Sequence, residues 1–335
     1  MVTLWDTTGR EVVRKLAAER RAAGGVASGL ALSLIVITDE GRVSEVEEAV
    51  TVATAEHPLR LLIVVRDPQG GRPDARSRLD AEVIVGGRLG PCEAVVLRMN
   101  GRLALHAESV VVPLLAPDVP VVTWWHGPPP ERIAYDPLGV VAERRVTDVA
   151  RCPDPIAEIH RRGEDYAPGD TDLSWSRITP WRTLLAGAFD TVSSPVAAVE
   201  LVAATDDPGA VLLTGWLLDR LGVQPVTVPV DGGGLSRVWV RLADDAELSL
   251  TRQGNTVLMR RTGYVDRMLP LTPRRLGDEL AEELRRLDPD QTYAAALSAA
   301  TGVTGLQERP STRVHIWHDP ALAERPEETT PEAVA

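Results

Sequence analysis

The chain has 335 residues, of which 44 % are hydrophobic and 25 % charged, and a formal net charge of −12. That balance is globular and exceeds what one compact core usually holds, so two domains are expected. An acidic chain without a lysine/arginine stripe lacks the cationic surface on which nucleic-acid binding depends, and acidic membrane surfaces are disfavoured for the same reason.

The interior must be built largely from Val, Leu and Ala. Phe189 is the single phenylalanine and Lys15 the single lysine, while eight tryptophans supply most of the large aromatic area. The N-terminus has no basic region followed by an apolar run, and the longest apolar segments are strand-length, so a cytoplasmic protein is expected. Cys92 and Cys152 lie far apart and form neither a CxxC motif nor a disulfide framework; they are expected as two unrelated thiols.

In chain order, Thr8-Gly-Arg-Glu11 is a capping box that opens a helix carrying Val12, Val13 and Leu16. Residues 30–38 form a continuous apolar, β-branched run, the pattern of a strand covered on both faces. Ser44-Glu-Val-Glu47 reads as a second capping box, with Val46, Ala49, Val50 and Ala53 as the stripe behind it. Residues 59–65 are the next buried strand. Residues 81–85 and 93–99 suggest an antiparallel extension, 102–115 a helix, and 119–124 another strand. This order predicts an α/β N-terminal three-layer domain with a mixed sheet over residues 1–150.

Residues 151–180 are rich in Pro, Gly, Asp and Arg and predict an exposed connection containing tryptophan and arginine. From Pro180 the periodicity resumes: a helix over 181–190, a strand over 196–203, a helix over 207–221 and a strand over 226–230. Asp231-Gly-Gly-Gly234 then introduces a meander over 238–242, 247–252, 256–261 and 264–269, with turns at Asp244-Asp245, Gln253-Gly254-Asn255 and Gly263. Helices over 272–287 and 290–300 follow. The second domain, 181–318, is therefore expected to be α+β with a mostly antiparallel sheet, ending in a disordered Pro/Glu/Thr-rich tail over 319–335.

No pattern for catalysis stands out. A dinucleotide site needs GxGxxG after the first buried strand, where this chain has Asp39-Glu-Gly41-Arg, with two acidic groups in the place of the anion. There is no GxxxxGK[ST] loop, no HExxH and no GxSxG elbow. His315-Ile-Trp-His318 could hold a metal from a helix, but it has no acidic or thiol partner at ligand spacing; a terminal strand closing the sheet is the expected use. No cofactor and no metal are expected.

What does stand out is tryptophan in polar company. Trp124-Trp125-His126-Gly127 ends a buried strand, where open α/β sheets place their ligand crevice. Asp172-Leu-Ser-Trp175-Ser-Arg177-Ile-Thr-Pro-Trp181-Arg182 lies in the connection. Trp and Arg anchor protein interfaces, being large, rigid and able to hydrogen-bond. The candidate partner-binding residues are Trp124, Trp125, His126, Asp172, Trp175, Arg177, Trp181 and Arg182. The alternative is that Trp175 and Trp181 pack the connection onto the domains.

The 172–182 string, the 121–127 strand ending in Trp-Trp-His-Gly and the layout of both halves resemble the OpcA family of glucose-6-phosphate dehydrogenase assembly proteins, over about residues 8–300. The single-lysine, arginine-rich composition looks like an actinobacterial member. The resemblance implies a non-catalytic partner that binds glucose-6-phosphate dehydrogenase and promotes its assembly or allosteric activation, feeding the oxidative pentose phosphate pathway. It implies no interface residue and no effector. A second reading is an α/β enzyme or sensor that holds a sugar phosphate between the domains, with Arg182, His126 and Trp125 as contacts.

Overall fold

Two sheets organise the computed structural model, which describes residues 1–23, 29–55, 58–66, 76–86 and 92–311. The first half of the chain runs β1 (Val2–Leu4), α1 (Gly9–Ala22), β2 (Leu32–Thr38), α2 (Val43–Thr54), β3 (Leu59–Arg66), β4 (Arg78–Val85), β5 (Glu93–Asn100), α3 (Arg102–Leu105), α4 (Glu108–Val111), β6 (Val121–Trp125), α5 (Pro137–Val140), β7 (Arg144–Thr147), α6 (Pro155–Asp165) and β8 (Asp170–Asp172). Its strands form one sheet in the order β1-β4-β5-β3-β2-β6-β7-β8. The strands from β5 through β3, β2, β6 and β7 to β8 pair in parallel, whereas β4 joins β5, and β1 joins β4, antiparallel. This is the mixed sheet expected from the sequence.

All seven residues of β2 are buried. Leu32, Leu34 and Val36 enter one core with α2, and Ile35 and Ile37 enter a second core with α1 and α4. The Thr8 capping box is present, Thr8 accepting from the Glu11 N–H while Glu11 accepts from the Thr8 N–H. The Ser44 box is not: α2 starts earlier, at Val43, and Arg42 precedes it without a side-chain cap. The helix expected over 102–115 is broken at His106, whose φ of −123° leaves the helical region, so α3 and α4 are single turns.

The second half comprises α7 (Leu173–Arg177), α8 (Thr179–Phe189), β9 (Val196–Ala204), α9 (Pro208–Leu221), β10 (Val226–Val230), β11 (Arg237–Leu242), β12 (Glu247–Gln253), β13 (Thr256–Arg261), β14 (Arg267–Pro270), α10 (Leu276–Leu284) and α11 (Gln291–Thr301). Its sheet is ordered β10-β9-β11-β12-β13-β14, and only the β10–β9 pair is parallel. Helices α8, α9 and α11 cover one face, where Val199, Leu201, Val238, Val240, Leu248, Leu250 and Val257 are buried. Gly215 permits the close crossing of α9 and α11, since a Cβ there would lie 2.1 Å from the Ala296 carbonyl oxygen.

The exposed connection expected over 151–180 is instead built into the fold. Residues 155–165 form α6, and 170–172 add β8 to the first sheet. Buried Arg145 holds β8 in place through the Asp170 carboxylate and the Pro168 carbonyl. The polar and Pro/Gly-rich composition that suggested exposure comes from these internal caps and ion pairs. The helix expected over 272–287 is shorter, because Arg275 is still extended. The tail over 319–335 and the strand expected at His315 and His318 lie outside the described residues.

Candidate functional site at the domain junction

Helix α10 belongs to the second half of the chain but lies on the first sheet's layer, where Leu280, Ala281 and Leu284 join the core of α2. Gly277 makes the approach possible: a Cβ there would sit 2.6 Å from Val52 Cβ and 2.8 Å from the Ala49 carbonyl oxygen. The junction is tied by charge as well as by packing. Arg144 on β7 donates to the Glu283 carboxylate and, at 3.0 Å, to the Asp288 carbonyl.

A chain of ion pairs runs across the same junction. Arg177 donates to both Asp148 oxygens at 2.6 and 2.8 Å and to Glu279 at 3.0 Å. Arg151 bridges the other side of Asp148, at 2.9 Å, to Glu45 on α2. Asp148 is fully buried and held between two guanidinium groups. Burial pulls the Arg177 guanidinium down, but its hydrogen bonds to Asp148 and the nearby Glu279 charge outweigh this and raise it. Burial pushes Glu279 up to about 7, against the pull of Arg177.

Of the eight sequence-predicted residues, Trp124, Trp125, His126, Asp172, Trp175 and Trp181 are buried, and Arg177 and Arg182 are half-buried. Trp124 and Trp125 end β6 on opposite faces of the sheet, one in each core. His126 is buried behind them, edge-on to Trp124 at 4.9 Å, with Nδ1 3.5 Å from Thr38 Oγ1 and Nε2 3.5 Å from Glu45 Oε2. Burial, reinforced by the Arg151 charge, holds His126 down to about 4, so it is neutral at physiological pH.

Asp172 caps α7 by accepting from the Ser174 N–H at 2.8 Å, and it also accepts from Thr147 Oγ1 and the Val149 N–H. Burial, then the Asp148 charge, raises its pKa. Trp181 is 2 % exposed within the second core. Trp175, also 2 % exposed, donates Nε1–H to Asp290 at 2.9 Å. The Arg182 guanidinium lies 3.5 Å over the Trp175 ring. Trp175 and Trp181 are thus packed into the fold, as the packing alternative expects.

Beside Arg182 is a polar cleft of about 820 Å³, lined among others by Arg144, Trp175, Thr179, Arg182, Arg286 and Thr292. Neither His126 nor Trp125 lines it, so the three contacts offered for a sugar phosphate are not brought together. The sequence reading missed Asp148, Glu279, Glu283 and Asp290. A signal existed for two of them: Glu279 and Glu283 interleave with Leu280 and Leu284 at helical spacing, placing acids where α10 is buried. Both cysteines are buried and free, and burial pushes each thiol up to about 11.

The fold is thus that of a two-domain protein, α/β followed by α+β, whose polar junction is assembled from both halves. Residues 50–164 match the family described as glucose-6-phosphate dehydrogenase subunit N-terminal domain, and residues 168–297 match its C-terminal domain. The chain belongs to this OpcA family.

Similar curated proteins are the putative OxPP cycle proteins OpcA of Synechococcus elongatus and Nostoc punctiforme. The first is 27 % identical over 75 % of this chain and 57 % of that protein; the second is 26 % identical over 63 % and 45 %. The chain spans about half the length of the curated relatives it matches. A solved structure, an oxidoreductase from Sinorhizobium meliloti, aligns over 84 % of this chain and 91 % of its own at 10 % identity, with a TM-score of 0.37, too low to carry an argument. No helix among the described residues is long and apolar enough to cross a membrane.

Proposed function

We propose that this chain is a non-catalytic cytoplasmic partner that binds glucose-6-phosphate dehydrogenase and favours its assembled, active form. The observation that carries the reading is the match of both halves, 50–164 and 168–297, to domains described as parts of a glucose-6-phosphate dehydrogenase subunit. The use of the conspicuous Trp, His and Asp side chains for packing and capping supports it, since they serve the fold rather than converge on a reacting centre.

The docking surface we assign to the dehydrogenase is the outer face of the second sheet. Register places Val228, Val202, Arg237, Thr251, Leu258 and Met268 in one row across it, and Trp239 in the next row between Glu200 and Ser249. Val226, Val228, Val230 and Met268 are exposed apolar groups, and Arg237, Arg241 and Arg260 surround them. An aromatic centre with an arginine rim suits a protein partner that presents apolar and acidic groups.

Activation requires tighter binding to the active form than to the inactive one, because equal affinity for both shifts no population. Size-exclusion chromatography of the chain with the dehydrogenase, together with a titration of dehydrogenase activity, tests this. Co-elution with rising activity is expected. Separate elution and unchanged kinetics across the titration would overturn it.

A further inference from the structure

The junction cleft contains a cation, Arg182, that makes no direct ion pair among the described residues, although the Asp290, Glu282 and Glu283 charges lie near enough to act on it. Three of the cleft's four acidic groups accept hydrogen bonds from within the fold. Glu283 accepts from Arg144 and Ser176, and Glu282 accepts from Thr179 and Arg274. Asp290 accepts from Trp175 Nε1 and from the Thr292 and Tyr293 N–H groups that it caps. Arg182 has no carboxylate at ion-pair distance among the described residues. Its Nη2 donates to the Thr179 hydroxyl at 2.7 Å and to the Trp175 carbonyl at 3.3 Å, both neutral acceptors, and its Nε–H is buried without a partner.

The guanidinium is also fixed in place, stacked on Trp175, whose own N–H is held by Asp290. A buried charge normally acquires a counter-charge, because desolvation is costly unless the group is paired. Burial lowers Arg182 to about 10, so it remains cationic at neutral pH. Arg286, an exposed arginine on the cleft wall, supplies a second cation.

We propose that this cleft is a binding site for a phosphorylated, hydroxyl-rich small molecule, with the Arg182 guanidinium as the seat of its anionic group. A planar guanidinium whose Nη1, unlike the enclosed Nε, is open to a ligand and makes no hydrogen bond among the described residues matches phosphate oxygens. The rest of the lining sets the body of the ligand. Asp288, Asp290, Glu282 and Glu283 stand beside the arginines, which opposes a polyanion such as a nucleoside triphosphate, and the Asp288 carboxylate offers an acceptor to hydroxyl groups. The volume, about 820 Å³, lies within the range of small-molecule pockets, and the polar walls oppose an apolar ligand. This inference does not rest on binding of the dehydrogenase.

Calorimetric titration of the full chain with glucose 6-phosphate, inorganic phosphate and free glucose tests it. Saturable binding of glucose 6-phosphate is expected, with weaker binding of phosphate and none of glucose. Arg182→Gln should weaken glucose 6-phosphate binding about tenfold or more, the loss expected for a hydrogen bond to a charged group. No saturable heat with either phosphate probe, or an affinity unchanged in a folded Arg182→Gln protein, would overturn the site. If that variant loses its thermal transition, Arg286→Gln decides: a several-fold loss supports the site and unchanged affinity overturns it. Dehydrogenase co-elution measured on the same samples separates failure of this site from failure of the partner reading.

Discussion

In the first sheet every residue of β2 is buried, whereas in the second β11 alternates, with Val238, Val240 and Leu242 inside and Arg237, Trp239 and Arg241 facing outward. The same residue type therefore does different work in the two regions. Trp124 is a filled volume between β6 and the helices above it. Trp239 is a half-buried ring on a face that contributes nothing to the hydrophobic core. Large aromatic groups in the covered sheet fill its cores, while Trp239 on the second sheet fills none among the described residues.

The contrast can be broken most directly in the covered sheet. Trp124→Ala should destabilise the chain by about 3–5 kcal/mol through the cavity it leaves, read as a lowered midpoint in denaturant unfolding. A midpoint within error of wild type would mean that this core is not the stabilising element.

His126 provides the next effect. Its pKa is held down to about 4 in the folded chain, against an ordinary 6.5, so the unfolded chain binds the proton more readily. Its contribution is present above pH 6.5 and is lost as pH falls towards 4, by at most about 3 kcal/mol. Unfolding followed across that window should show this acid loss, and His126→Gln should flatten it; a slope of equal size in the variant would assign the loss to other groups.

Gly277→Val probes the junction that joins the two regions. The new side chain meets Val52 and the Ala49 carbonyl, and overpacking of this kind costs about 1–3 kcal/mol. Hydrogen exchange should rise in α10 and α2 before it rises in the second sheet. Uniform exchange throughout would show that α10 docking is not a separate step.

The smallest effect on folding is expected at Trp239. Trp239→Ala should change stability by about 1 kcal/mol or less, as outward-facing substitutions do, yet weaken dehydrogenase binding by about 2 kcal/mol or more if it is an interface anchor. Surface plasmon resonance with the immobilised dehydrogenase checks this, and full retained affinity would move the interface elsewhere.

Much of the fold was legible because its signals are local. The Thr8 capping box, the uninterrupted apolar run of β2 and the turn at Gln253-Gly254-Asn255 each act within a few residues. The stretch from Cys152 to Pro180 misled for the opposite reason. Its aspartates and arginines look solvated in one dimension, yet Asp170 meets Arg145 and Arg177 meets Asp148 and Glu279, partners 25, 29 and 102 positions away. The burial of the conspicuous Trp residues could not be read from composition.

The sequence alone determined the mixed first sheet and the largely antiparallel second one, though not the elements over residues 137–172, because period and capping are properties of neighbouring residues. Only the tertiary structure decided that α10 returns to the first domain through Gly277. Only there, among the described residues, is Arg182 found stacked on Trp175 without an acidic partner, and the outer face of the second sheet left open. Those facts depend on which distant side chains meet, and pairing across the chain sets burial and charge balance in a way that local pattern does not record.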